Sequence, residues 1–263
     1  MMDSKQKKMN FFTQLFKSIF DFNGYKYFVK SKTSQSMVYL LFVTLIFGTL
    51  GLIKPMYVFN RNVEEIDDVF ENKVSDFVFE NGELNVSGKM PVTVRKKHNT
   101  VIIDTSGSTD RSVLDKYASA VFISKNEIIK KENNEYIEAS FNKLPAGIKV
   151  IKADLKNLES FMKWVNVFMA AAGLIAYFFG KIISAIMTSF AATIVTAVKG
   201  VELKFDELFK LSIYALTLPS ILKIIVSCSG KDISFFYLVY YTIALIYVSK
   251  AVSLIKEEKG TVQ

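Results

Sequence analysis

The chain has 263 residues, of which 51% are hydrophobic and 14% aromatic, with 23 Phe and only 4 Pro. This composition excludes a disordered chain and is typical of a membrane protein. A single Cys and a single His exclude an internal disulfide, a Cys-rich zinc site and a His-rich metal site.

The net charge of +8 is concentrated at the two ends of the chain. Residues 1–36 carry a net charge of +5, residues 37–163 are neutral and residues 164–263 carry +3. Basic ends around a neutral middle follow the positive-inside rule and do not resemble a nucleic-acid footprint. We therefore expect a multi-pass protein whose partner is the lipid bilayer, with no nucleic acid and with both termini in the cytoplasm.

The first segment, residues 1–36, is predicted to be cytoplasmic, basic and amphipathic. Aromatic and aliphatic residues recur there at helical spacing: Phe11, Phe12, Leu15, Phe16, Ile19 and Phe20. A short helix with a Phe-rich face beside lysines suits the headgroup boundary of an anionic leaflet. The alternative is a helix packed on other parts of the protein.

Residues 37–57 predict the first transmembrane helix, closed by Lys54 and Pro55. The apolar run Trp164–Val198 is interrupted only by Lys181. At 1.5 Å per residue this run is about 50 Å long, which is too long for one upright span and short for two.

Two further spans are predicted at Leu211–Val226, bent at Pro219, and at Ile233–Val248. Residues 162–250 therefore form the C-terminal transmembrane helices, and residues 251–263 a cytoplasmic tail. Cytoplasmic termini require an even number of crossings. The sequence thus predicts an α-helical integral membrane protein with four or five transmembrane helices, of which four is favoured.

Residues 58–161 predict a small α+β extracytoplasmic domain inserted between the first and second spans. After an acidic helix or linker at Val63–Val74, strand patterns follow at 76–80, 83–87, 91–96, 101–104, 120–124, 127–131 and 136–141. Asn81-Gly82 favours the left-handed turn of a tight hairpin. We expect a small mixed or mainly antiparallel sheet with one or two helices.

The segment Asp104-Thr105-Ser106-Gly107-Ser108 follows an apolar strand and reads D-x-S-x-S. In the metal-ion-dependent adhesion site of von Willebrand A-type domains, this pattern supplies oxygen ligands to a hard divalent cation. Asp104, Ser106 and Ser108 are therefore candidate metal ligands. The D-T-G of aspartic proteases fits less well, because Ser106 stands where that motif needs Gly. The reading we favour is a Ser/Gly turn in which Asp104 or Ser106 caps a short helix around Ser112–Tyr117.

Lys181 and Lys223 lie at apolar depth, and we expect both side chains to snorkel towards the span ends. Small residues at Ala170–Gly173 and around Ser184–Ala192 predict close helix packing. No Walker loop, nucleophile with a base or intramembrane acid is present in the sequence. We therefore expect no catalytic residues, no cofactor and no enzymatic activity.

Several stretches together resemble a bacterial membrane family catalogued as domain of unknown function 1189. They are the block from Asn10-Phe11-Phe12 to Lys32, F-V-F-E-N-G at Phe77–Gly82, I-I-D-T-S-G at Ile102–Gly107, and L-K-F-D-E-L-F-K-L-S-I-Y-A-L-T-L-P-S-I-L at Leu203–Leu222. The resemblance implies a Firmicute-type plasma-membrane protein, and it carries over no catalytic residue. Some relatives are labelled maltodextrin-utilisation proteins, and Phe205–Leu222 is similar to Yip1-type membrane domains.

The function expected from these observations is a non-enzymatic one at the bacterial plasma membrane. The extracytoplasmic domain would sense or scaffold, or would assist a transporter, through other membrane or envelope proteins or through self-association. The alternative is a divalent-cation-dependent ligand-binding or adhesion domain built on residues 104–108.

Overall fold

A computed structural model describes residues 9–97, 99–132, 134–229 and 234–260, with the backbone alone at 156–160 and 260. Residues 1–8 and 261–263 of the two predicted terminal segments lie outside the described residues. The chain divides into a helical unit, Met1–Pro55 with Phe168–Gln263, and an α+β unit, Met56–Val167. The second unit includes the whole predicted domain, 58–161.

Eight α-helices account for most of the described chain. They are α1 (Phe11–Phe20), α2 (Gly24–Lys30), α3 (Thr33–Val43), α4 (Thr49–Asn72), α5 (Leu155–Lys199), α6 (Phe205–Ala215), α7 (Thr217–Ser229) and α8 (Phe236–Gly260). A π-helical segment, Thr44–Gly48, joins α3 to α4.

The N-terminal helix α1 begins where Asn10 accepts a hydrogen bond from the backbone N–H of Thr13 at 2.8 Å. The two faces of this helix differ in burial. Phe11 packs against the buried core of the helical unit, whereas Phe12 and Phe16 are exposed. The predicted helix and its apolar face are confirmed, and its location at a membrane surface stays a prediction.

Four helical stretches are long and apolar enough to cross a membrane. They are Thr33–Asn72, Phe161–Lys199, Phe205–Ser229 and Phe236–Lys259. The sequence left open whether Trp164–Val198 crosses once or twice, and α5 is a single unbroken helix through this run. An unbroken helix can cross a bilayer only once, so the described helices number four candidate spans.

Two prolines affect these helices differently. Pro55 lies inside α4, which continues to Asn72, so the helix does not end where the sequence places the end of the first span. The third candidate span is interrupted at Leu216, between α6 and α7, three residues before Pro219. Proline disfavours helical geometry in the residue before it and breaks the hydrogen-bond ladder, which explains an interruption near Pro219, whereas the predicted bend of this span stays a prediction.

Aromatic side chains fill the centre of the helical unit. Phe28 stacks on Tyr214 with ring centroids 3.7 Å apart, and Tyr39 lies 4.4 Å from Tyr214 on a third helix. The hydroxyl of Tyr39 lies 2.8 Å from that of Thr217 and 3.1 Å from that of Ser18. Buried hydroxyls that bond one another meet the requirement for polar groups inside an apolar core.

The α+β unit contains eight strands in two sheets. The strands are β1 (Asp76–Glu80), β2 (Glu83–Ser87), β3 (Val92–Arg95), β4 (Thr100–Asp104), β5 (Ser119–Ser124), β6 (Glu127–Glu132), β7 (Glu135–Ser140) and β8 (Lys149–Ile151). One sheet has the order β2-β1-β8 and the other β3-β4-β5-β6-β7. Among the strands described, only the β4–β5 pair is parallel, so the predicted mixed or mainly antiparallel pairing is confirmed, whereas the strands form two sheets where one was predicted.

Both faces of the larger sheet are covered. On one face Val101 and Ile103 pack with Phe70 of α4 and with residues of the smaller sheet. On the other face Ile102 and Phe122 pack against a 3-10 helix at Arg111–Lys116. A strand that is covered on both sides carries apolar residues at consecutive positions, which explains the unbroken Val-Ile-Ile of β4.

Candidate functional site

The predicted site residues lie where β4 leaves the larger sheet. The Asp104 carboxylate is buried, and its Oδ1 accepts hydrogen bonds from the Ser106 backbone N–H at 2.9 Å and from the Ser106 hydroxyl at 2.6 Å. Its Oδ2 accepts from the Ser108 hydroxyl at 2.7 Å. The structure therefore brings Asp104, Ser106 and Ser108 together within one turn.

The electrostatics of this turn favour a charged carboxylate. Burial raises the pKa of the Asp104 carboxyl, but hydrogen bonds from Ser106, Thr109 and Ser108 outweigh it and hold the pKa well below its usual range. Both serine hydroxyls lie within hydrogen-bond distance of the carboxylate, so Asp104 is satisfied by its own turn. To bind a cation, the serines would have to turn their lone pairs towards it.

The turn offers three side chains, so a Mg²⁺ ion with its six oxygen ligands would have to keep waters in the remaining positions. Within the described part of the chain, no three His, Cys, Asp or Glu side chains form a group that could hold a metal ion. The metal site at Asp104, Ser106 and Ser108 stays a prediction, and what the geometry explains directly is a closed turn.

The short helix after this turn is present, but its predicted cap is wrong. Neither Asp104 nor Ser106 caps it. Asp110 does, since its Oδ1 accepts from the Ser112 backbone N–H at 2.9 Å. The side chain of Asp104, six residues before Asp110, is already engaged in closing its own turn.

A second site in the same unit is an apolar groove of about 340 Å³. We call it the apolar groove. It is lined by the end of α4, the start of α5, strands of both sheets and the segment after β7, and its walls include Phe70, Phe77, Phe79, Ile128, Phe141 and Leu144. Among the described residues of the lining, Asp67 is the one charged side chain.

Aromatic pairs shape the walls of this groove. Phe70 meets Phe77 edge to face with ring centroids 5.0 Å apart, and Phe79 meets Phe141 in the same way at 5.3 Å. Such pairs are favoured over face-to-face stacking and hold both rings in place. The groove is therefore a formed concave surface, and its volume falls within the range of small-molecule sites.

The sequence did not identify this groove. Phe77 is buried and Phe79 half-buried on β1, but Val78 between them is also apolar and half-buried, so the sequence pattern marks the inward face only weakly. In addition, the opposite walls come from α4, β6, β8 and α5, which are far apart in the chain. The three-residue strand β8 carries no pattern that would place Val150 next to Phe79.

Comparison with known proteins gives one match. The model of a family described as "Protein of unknown function (DUF1189)" matches residues 12–252. Searches of curated proteins and of solved structures returned no significant match.

Proposed function

The chain belongs to the DUF1189 family, and from that premise we propose that it is a non-enzymatic sensing protein of the bacterial plasma membrane. Its α+β unit would lie on the extracytoplasmic side and would bind a hydrocarbon chain in the apolar groove. The observation that carries the proposal is the groove itself, in which every described lining residue except Asp67 is apolar.

Membrane insertion is supported by the surface of α5. Large apolar side chains are exposed from Phe161 to Val198, among them Trp164, Phe168, Phe179 and Phe190. A contiguous apolar surface of this kind is unfavourable in water and matches the hydrocarbon of a bilayer. The basic N-terminal segment favours the cytoplasm for the first terminus, and four crossings return the second to the same side.

The chemistry of the groove selects its occupant. An extended peptide would bring backbone N–H and C=O groups into walls that offer almost no partners, and each unpaired group would be costly. A hydrocarbon chain has no such groups and gains from burial in proportion to its area. We therefore assign the groove to an acyl chain. The lipids around a protein that spans a bilayer carry such chains.

Sensing follows from the way the groove is built. Its walls combine Phe70 of α4, Phe77 of the smaller sheet and Ile128 of the larger sheet. A chain that contacts all three elements stabilises the arrangement in which they surround it, by mass action. Occupancy would thus be reported by the stability of the unit, without any chemical step.

The test uses full-length protein in detergent and a photoactivatable palmitic acid, with the crosslinked peptides identified by mass spectrometry. We expect crosslinks in the peptides that contain Phe77–Leu84 and Phe141–Leu144, and we expect excess unlabelled palmitate to remove them. Leu144→Asp places a charge at the mouth of the groove and should lower these crosslinks severalfold.

The matched control is Ile137→Asp on β7. Ile137 is 64% exposed and Leu144 is 47% exposed, and only Leu144 lines the groove. The control should leave the groove crosslinks unchanged. Crosslinks confined to the spans, or equal losses in both variants, would refute acyl-chain binding in the groove.

The second candidate function is the divalent-cation-dependent ligand-binding or adhesion domain. It is favoured by one observation, the convergence of Asp104, Ser106 and Ser108 oxygens in a single turn. A cation that binds only the folded state must raise its melting temperature. Millimolar Mg²⁺ or Ca²⁺ should then raise the melting temperature of the full-length protein, and Asp104→Ala should abolish the rise.

A further inference from the structure

Lys181 is a buried cation near the middle of α5. Its side chain is only 5% exposed, so it is held between helices of the helical unit, and its snorkelling to a span end stays a prediction. Its ammonium donates hydrogen bonds to Ser220 Oγ on α7 and to Tyr240 Oη on α8, each at 2.6 Å. Three helices of the helical unit therefore meet at this one charge.

No described carboxylate neutralises this charge. The ammonium lies 4.9 Å from the ring centroids of Tyr177 and Tyr240, which stabilise a cation by their π-faces. It also lines a cavity of about 490 Å³, which we call the Lys181 cavity, and none of the described residues that line it is acidic. An ionisable residue at this depth is costly without a counter-charge, and such residues usually mark a functional site.

A second lysine lines the same cavity. Lys223 on α7 is exposed and brings another positive charge to the cavity wall. Two lysines with no described acid between them repel each other and favour an anion in the space they share. An ammonium has three N–H donors. Lys181 directs two of them to Ser220 and Tyr240, which leaves one for a ligand.

The position of the cavity along the helices indicates the kind of anion. Its lining includes Phe235, Phe236 and Tyr237, which lie at the start of α8 and therefore where the fourth candidate span begins. Aromatic residues of this type concentrate at the membrane–water interface, where lipid headgroups lie. At the same end, Lys54 donates to the backbone carbonyl of Ser227 at 3.1 Å, and this adds positive charge.

We propose that the Lys181 cavity binds the phosphate group of an anionic lipid. A phosphate oxygen accepts the remaining N–H of Lys181, and Lys223 provides the second positive contact. The hydroxyl-bearing rings of Tyr237 and Tyr241 line the space beside the phosphate. Basic pockets between transmembrane helices recognise lipid headgroups by this chemistry. A free phosphate ion offers the same oxygens, so the experiment separates the two sources.

The experiment is native mass spectrometry of the full-length protein in detergent with equimolar phosphatidylglycerol and phosphatidylcholine. We expect wild type to retain phosphatidylglycerol in preference to phosphatidylcholine. Loss of one charge-assisted hydrogen bond in Lys181→Met should weaken phosphatidylglycerol binding about tenfold. Lys181→Arg, which keeps the charge and the donors, should restore most of the binding.

Lys223→Gln tests the site without altering a buried residue and should also lower the retention of phosphatidylglycerol. Its matched control is Lys250→Gln, which removes the same charge from an exposed lysine on α8 outside the cavity and should have no effect. If inorganic phosphate competes for the two lysines and the protein shows no preference for phosphatidylglycerol over phosphatidylcholine, the site binds the free anion and not the lipid. Equal retention of both lipids in all variants, without phosphate competition, would overturn the proposal.

Discussion

Asp104 shows how one buried charge can be satisfied within five residues of sequence. Its carboxylate ends a strand whose side chains are all buried, and the next turn supplies its donors from Ser106 and Ser108. A buried carboxylate without such donors would be strongly destabilising. The buried carboxylate at the end of β4 therefore needs the donors that this turn supplies, whether or not a cation binds there.

The first prediction concerns the charge of Asp104. Asp104→Asn keeps the shape of the side chain but removes the charge from its hydrogen bonds, and it should destabilise the α+β unit by about 1.5–3 kcal/mol. Hydrogen exchange of the β4 amides in the full-length protein measures this change. The control is Asp110→Asn, because Asn caps a helix as well as Asp. Equal protection of β4 in the two variants would contradict the structural role of Asp104.

The second prediction concerns pH. Because the pKa of Asp104 is lowered in the folded state, its carboxylate stabilises that state fully above the unfolded pKa of about 3.9. This contribution is lost as the pH falls from there towards the folded pKa. The melting temperature of wild type should therefore exceed that of Asp104→Asn by a constant amount between about pH 7 and 5, and the gap should narrow below about pH 4. A gap that widens on acidification would mean that the pKa is raised.

At the scale of elements, the β-hairpin and the sheet strands were predictable because their signals are local. Asn81 and Gly82 adopt φ angles of 53° and 76°, as the turn between β1 and β2 requires. The strands from β3 to β7 lie within two residues of their predicted limits. The strand β8 was missed because three residues carry too little pattern, and its pairing with β1 depends on contacts distant in sequence.

The continuity of the helices was harder to predict. Pro55 and its neighbour Lys54 read as a helix end, yet α4 runs through both. Proline is tolerated inside helices of membrane proteins where neighbouring groups satisfy the freed carbonyls.

The candidate sites, like the helix ends, could be predicted only where their signals are local in the sequence. The turn at Asp104 is local and was identified, whereas the apolar groove and the partners of Lys181 depend on which elements pack together.

Helix packing gives the third prediction. A Cβ atom added at Gly173 of α5 would lie 2.9 Å from Leu52 Cδ2, and one added at Gly48 would lie 2.9 Å from Leu174 Cδ2. The first and second candidate spans therefore approach closely at these glycines. The sequence predicted such close packing for Gly173, from the small residues around it. Gly173→Leu and Gly48→Leu should each destabilise the protein by about 1–3 kcal/mol through overpacking.

The controls for this prediction are Gly51→Leu and Gly180→Leu, because a Cβ atom at either position meets no atom within 4 Å. These two variants should keep the wild-type melting temperature or raise it, since leucine favours a helix more than glycine does. If all four variants lose the same stability, close approach of the two spans is not the cause.

For the whole molecule, the number of crossings decides on which side each segment lies. If the four candidate spans cross a membrane, an unbroken α5 crosses it once and both termini lie on the same side. In this arrangement the α+β unit and the α7–α8 connection share one side, and the connection between α5 and α6 lies on the other. A double crossing within Trp164–Val198 would reverse the sides of Glu202 and Cys228 relative to the α+β unit.

The fourth prediction uses the only cysteine of the chain, Cys228, which is exposed at the end of α7. In intact spheroplasts a membrane-impermeant maleimide should label Cys228 of the wild-type protein. In a Cys228→Ser background, Lys89→Cys in the α+β unit should be labelled equally, because it lies on the same side. Glu202→Cys in that background should react only after permeabilisation. Labelling of Glu202→Cys in intact spheroplasts, with Cys228 protected, would instead require two crossings between Trp164 and Val198 and would exclude an unbroken α5 in the membrane.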